Sequence, residues 1–305
     1  MTAPKKELKP LELFHFPLVQ EPLDGLLRNM DSDLQRRIKE VQASNDFDEY
    51  RQLTLLLIML RIAANSYQAL GFLLSDVDVH HKRLPKFALV VPPVNRQIMD
   101  LWFTLIYMMD DFGPRSLLYE QYAYRQLREQ IDHTRKRYGA DPEWQPWFED
   151  MQALSDLMET QMPLTPEQIA NPGPKTIASW PHPHALSEQA TTSQNFLQFL
   201  HELLYSDTSI EAHLKPAGLM TIAGILLADI APEHHRKTVE ERTIHQYKFR
   251  HFCRTVIALL GIVSEIELHC KLNNREQAAK VWERLATKNA DAKDIYEARY
   301  KSSLG

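Results

Sequence analysis

Glycine is scarce in this chain. It supplies nine of 305 residues, less than half its usual share of about 7%. Doubly wound α/β folds spend glycine on strand-to-helix turns, and so few glycines cannot supply many such turns. Neither G-x-G-x-x-G nor G-x-x-x-x-G-K-[ST] occurs, so nucleotide binding through those loops has no support. The apolar residues instead recur in long runs suited to packed helices. The fold expected is all-α: an irregular multi-helix bundle.

The chain divides into three parts. Residues 1–30, rich in proline and leucine, read as an extended N-terminal arm packed through Leu11, Leu13, Phe14 and Phe16. Residues 31–290 form the helical domain, and 291–305 a polar C-terminal tail. Within the domain, 140–192 carry eight of the eighteen prolines and read as a loop excursion, a lid or a linker, broken by a short helix at about Trp147–Glu159. Other helices are expected at about Ser32–Ala43, Phe47–Leu74, Val94–Asp111, Arg115–Tyr138, Ser187–Tyr205, Ile210–Leu227, Glu233–Leu272 and Arg275–Ala286. Gly113-Pro114 separates two of them, and a short strand is expected at Phe87–Val91.

A quarter of the residues are charged and the formal net charge is −5, which disfavours nucleic acid as a partner. A second copy of the chain or another protein is the expected kind of partner. The apolar runs, such as Leu53–Leu60 and Pro216–Ala228, fall short of the ~20 residues of a membrane span. Met1–Pro10 lacks the apolar core of a signal peptide, so a cytoplasmic, membrane-free setting is expected. Cys253 and Cys270 lie on one predicted helix, about 25 Å apart at its rise per residue. They cannot pair there, which fits a reducing compartment.

Three constellations could carry chemistry. On an apolar helix, Arg96 and Asp100 are four apart and share a face, either as a site or as a stabilising ion pair. Further on, Tyr205, Ser209 and His213 recur at the same spacing, and Ser209 with His213 could act as nucleophile and base. His201-Glu202 begins a zinc-protease motif, but Tyr205 takes the place of its second histidine. Third, Arg128 precedes His133 by five residues.

Two resemblances follow from these residues. Arg96-x-x-x-Asp100 with Tyr205-x-x-x-Ser209-x-x-x-His213 resembles an uncharacterised family of helical bacterial proteins, classed as a domain of unknown function, over about Tyr50–Leu219. That resemblance implies a helical fold and a polar cluster, with stress response or phage defence as a setting. Arg128 and His133 resemble the motif of HEPN ribonucleases, which implies a metal-independent RNA-cleaving toxin acting on phosphate and 2′-hydroxyl across a dimer. No cofactor or metal is expected: His80-His81, His182/His184 and His234-His235 fall in predicted loops or helix ends, and Glu241–His245 and Glu265–His269 lack the spacing of di-iron bundles. Tyr119, Tyr122, Tyr124 and Tyr138 read as packing residues rather than a base-stacking platform. The functions expected are a helical binding or regulatory protein, a HEPN-like ribonuclease, or a hydrolase using Arg96, Asp100, Tyr205, Ser209 and His213.

Overall fold

A computed structural model describes residues 17–74, 89–213 and 245–304, with isolated positions between 215 and 233. Among these residues there is helix and no strand. The helices are α1 (Pro17–Ser44), α2 (Phe47–Leu74), α3 (Val91–Met109), α4 (Phe112–Tyr138), α5 (Gln145–Gln161), α6 (Pro166–Ala170) and α7 (Pro183–Gln189). Next come α8 (Gln194–Leu200), a π turn (His201–Tyr205) and α9 (Ser206–Ala212). The chain resumes with α10 (His245–Cys270), α11 (Arg275–Ala286), α12 (Ala290–Ile295), a second π turn (Tyr296–Tyr300) and α13 (Lys301–Leu304).

The most buried helix is α10. From Phe252 to Ile266 its apolar side chains are almost wholly covered, because α2 and α3 pack along it and α11 crosses it. α1 lies on α2 and α11, while α9 and α7 close over α3. Each fully buried large side chain, such as Trp102, Phe103 or Phe252, contributes about 1.5–3 kcal/mol. α2 has the length and apolarity to cross a membrane. Its Leu53, Leu56, Leu60, Ala63 and Leu70 are buried within the bundle. Cys253 and Cys270 are both buried and unpaired on α10.

Few glycines suffice because other residues take the left-handed turns. Asn45 (φ 59°) joins α1 to α2, and Lys271 (φ 54°) and Asn273 (φ 67°) join α10 to α11. Asparagine tolerates that region better than most residues.

Several expected boundaries move. The arm over 1–30 is helical from Pro17, where α1 begins. Val19, Leu23, Leu26 and Met30 recur at helical spacing and are buried, and that burial holds the helix through Pro22, which lies inside it and forgoes one backbone hydrogen bond. Residues 1–16 are outside the described set. Of the strand expected at Phe87–Val91, Phe87 and Ala88 lie outside the described residues, while Leu89–Val90 form a 3₁₀ turn and Val91 opens α3, where Pro92 and Pro93 favour a helix start over a ladder. The break between α3 and α4 falls at Asp110–Asp111, and Gly113-Pro114 lie in the first turn of α4.

The proline-rich excursion is ordered into short helices. Pro142, Pro146, Pro166 and Pro183 each stand at the first positions of one, where a missing N–H costs nothing. Thr165 and Gln168 add a capping box. Trp180 anchors the segment, edge-on to Tyr107 and Tyr119 at 5.3 and 4.9 Å, and Arg125 donates to the Ile177 carbonyl at 2.8 Å. The polar tail over 291–305 is helical too. Tyr296 and Tyr300, four apart, both stack on Trp282, so the last turns dock on the core. The expected helix at Ile210–Leu227 is interrupted by a turn at His213, and its described positions Pro216, Gly218, Met220, Ile222 and Ala223 are again helical; its other residues, and 234–244 of the helix expected at Glu233–Leu272, lie outside the described residues.

Candidate functional site

α3 and α9 bring the first two constellations together. One turn of α3 aligns Arg96 with Asp100, and the guanidinium Nε–H of Arg96 donates to both carboxylate oxygens at 3.1 and 3.2 Å. The Tyr205 hydroxyl donates to the same carboxylate at 2.7 Å. The guanidinium also lies on the Tyr205 ring, its carbon 3.4 Å from the centroid, a cation–π contact. Tyr205 ends the π turn, and such turns redirect side chains and recur at functional sites. Phe103 packs on the ring at 4.9 Å and fixes it from the α3 side.

The charge balance of this cluster is uneven. Arg96 Nη1 is buried without a hydrogen-bond partner. His201 lies against Tyr205 at 5.2 Å and His184 against His201 at 5.5 Å. Burial raises the Asp100 carboxyl pKa, opposed by the charges of Arg96 and His213. Burial also lowers the Arg96 pKa against the pull of Asp100. The His201 imidazole is lowered by burial and by the nearby His184 and Arg96. Arg96 and His213 are the positive charges that act on the Asp100 carboxylate, while His201 and His184 follow one another away from it along the Tyr205 ring.

Ser209 and His213 do not complete a nucleophile pair. Their recorded bond is main-chain, His213 N–H to the Ser209 carbonyl at 3.1 Å. His213 leaves the helix there and its side chain is exposed. Arg128 and His133 are also separate within the chain. Five residues turn a helix through about 140° beyond a full turn, and Arg128 instead donates to Glu159 at 3.0 Å, tying α4 to α5. His133 is exposed on another side of α4.

The opposite face of the α3–α9 pair carries a second polar network. His251 on α10 is fully buried. Asn95 Nδ2 lies 3.0 Å from its Nδ1 and donates to its carbonyl at 3.1 Å, while the Thr255 hydroxyl donates to Asn95 Oδ1. An amide nitrogen can only donate, so Nδ1 accepts and the proton rests on Nε2. Nε2 comes within 3.1 Å of Glu211, but poor alignment leaves both atoms without a proper hydrogen bond. Arg250 pairs with Glu211, and Arg254 reaches Thr208 at 3.3 Å and Asp207 at 3.1 Å. Burial would raise the Glu211 pKa, but His251 and the two arginines lower it; burial keeps His251 neutral. A signal for this network was present in the sequence: Arg250/Arg254 and His251/Thr255 are polar pairs four apart, directly before the apolar run Val256–Val263 of the same helix.

Neither of the two well-formed clefts touches these clusters. The larger, about 1120 Å³, lies between α2, α4 and the end of α5. Among the described residues no group of histidine, cysteine and carboxylate side chains is placed to hold a metal ion. No family model, curated protein or solved structure matches the chain. The reading of the site therefore rests on its own geometry.

Proposed function

We infer that this chain is a helical binding or regulatory protein that receives an anionic group of its ligand at Arg96. The observation that carries the reading is the arginine's half-used fork: Nε is held by Asp100, the plane is fixed on Tyr205, and Nη1 is unmatched. A guanidinium held flat in this way is arranged for phosphate or carboxylate. His201 packs on the other side of Tyr205, and burial with the nearby His184 and Arg96 holds its imidazole below the ordinary range, so Arg96 is the charge that meets the anion at neutral pH. A hydrolase reading gains nothing from the geometry, since Ser209 has no base in contact. Two buried unpaired cysteines support an intracellular setting.

Calorimetric titration with inorganic pyrophosphate tests this. Saturable binding at pH 7 is expected, weakened by about tenfold, or roughly 1.4 kcal/mol, in Arg96→Gln. Absence of saturable binding by the wild-type protein, or unchanged affinity in a folded Arg96→Gln variant, would refute the assignment.

A further inference from the structure

The cleft of about 1120 Å³ between α2, α4 and α5 has the makings of a separate site. Its volume lies at the upper end of small-molecule pockets, about 300–1000 Å³. Leu55, Ile58, Met158 and Met162 supply apolar lining, the exposed Asp46 and Asp48 lie at it, and Arg51 and Glu120 form an ion pair within it. The two paired side chains are largely covered, at 10% and 17% exposure.

Arg51 and Glu120 offset each other, and the exposed Asp46 and Asp48 leave the lining net negative. Arg51 Nη1 bonds Glu120, and Nη2 lies 3.7 Å from the exposed Asp48. The Nε–H of Arg51 is buried and has no acceptor, a condition that costs about 1–3 kcal/mol. Nearby hydroxyls are already engaged: Thr54 donates to the Tyr50 carbonyl and Thr160 to the Leu157 carbonyl, both at 2.8 Å. An anionic ligand would meet Glu120, Asp46 and Asp48, and a cationic group could not accept from the unmatched Arg51 donor. An uncharged acceptor fits the unmatched donor without disturbing the ion pair.

We propose that this cleft binds an uncharged, largely apolar small molecule through a carbonyl-type oxygen that accepts from Arg51. The proposal is independent of anion binding at Arg96, which lies on other helices. The test is fluorescence titration of the full-length chain with prodan, a neutral naphthyl ketone whose emission shifts to the blue in apolar surroundings. Saturable, blue-shifted binding is expected. Ala123 lines the cleft and is exposed, so Ala123→Trp fills the space without disturbing the core and should weaken binding by about tenfold. Arg51→Lys keeps the charge facing Glu120 but removes the Nε donor, and should weaken binding by a similar factor, about tenfold. Thermal melts establish that both variants are folded. The proposal is overturned if the wild-type protein does not bind prodan saturably, if either folded variant binds it as tightly as wild type, or if the anionic dye 1-anilinonaphthalene-8-sulfonate binds as tightly as prodan in the cleft.

Discussion

Replacing Gly261 with alanine places a methyl group where the Trp102 indole already lies. An added Cβ would stand 2.2 Å from Cε2, 2.4 Å from Cζ2 and 2.5 Å from Nε1 of that ring. In an exposed helix interior the same change stabilises by about 1 kcal/mol. Here the ring is fully buried, its N–H donates to the Tyr300 hydroxyl at 3.3 Å, and Phe196 meets it at 6.3 Å. Normal carbon contacts begin near ~3.5 Å, so α3 and α10 must part by about 1 Å or the indole must leave its position. Overpacking of that kind costs about 1–3 kcal/mol, and a lost buried hydrogen bond adds about 1 kcal/mol. Set against the helix-propensity gain, the net is a destabilisation of about 2 kcal/mol. Urea unfolding followed by far-ultraviolet circular dichroism measures it, as a lower midpoint at unchanged slope. Gly71→Ala is the control: nothing lies within 4 Å of its added Cβ, so it should be neutral or stabilising by up to about 1 kcal/mol. If Gly261→Ala behaves like Gly71→Ala, the close packing of α3 on α10 is wrong.

Two further outcomes are expected. Burial works against ionisation of Asp110, but hydrogen bonds from Thr191, Thr192 and Ser193 outweigh it and lower the carboxyl from 3.8 to about 2. Its stabilisation, roughly 2 kcal/mol, is therefore complete above pH ~4 and fades as pH falls towards ~2; Asp110→Asn should be weaker at pH 7, with the gap to wild type closing in acid, and a constant gap across urea melts would contradict this. Because Arg128 is engaged by Glu159 while His133 faces elsewhere, total RNA incubated with wild type or His133→Ala should remain equally intact on a denaturing gel, whereas cleavage by wild type alone would revive the ribonuclease reading.

The helical class and the long helices α2, α4 and α10 were legible because each carries an apolar face at one repeat over many turns. The short helices were not. In the segment from Pro142 to Pro183 proline density reads as loop, yet four of its eight prolines open helical turns, and the order comes from Trp180 and Ile177 docking at a distance. The C-terminal turns failed for a related reason: Tyr296 and Tyr300 look like surface residues until Trp282, on another helix, is beside them. For the site, Arg96, Asp100 and Tyr205 could be grouped because each pair is local or carried by the motif. The partnership of Asn95 with His251 spans 156 residues, and no spacing rule reaches that far.

The two π turns show why the Arg96 cluster, and not its inner counterpart, is the one to interrogate. Each ends in a tyrosine whose hydroxyl donates to a carboxylate on a facing helix at 2.7 Å, Tyr205 to Asp100 and Tyr300 to Glu265. Each carboxylate is shared with an arginine. At Glu265, 3% exposed, Arg299 bonds through Nε and Nη2 at 2.6 and 2.9 Å and spends Nη1 on Ser193. That fork is fully used, as a buried ion pair must be to offset its desolvation. At Asp100, 37% exposed, Arg96 bonds through Nε alone and Nη1 goes unmatched. The same arrangement is thus closed in the core and left incomplete near the surface, and an incomplete arginine fork at a water-facing carboxylate is where a ligand's oxygen has something to gain.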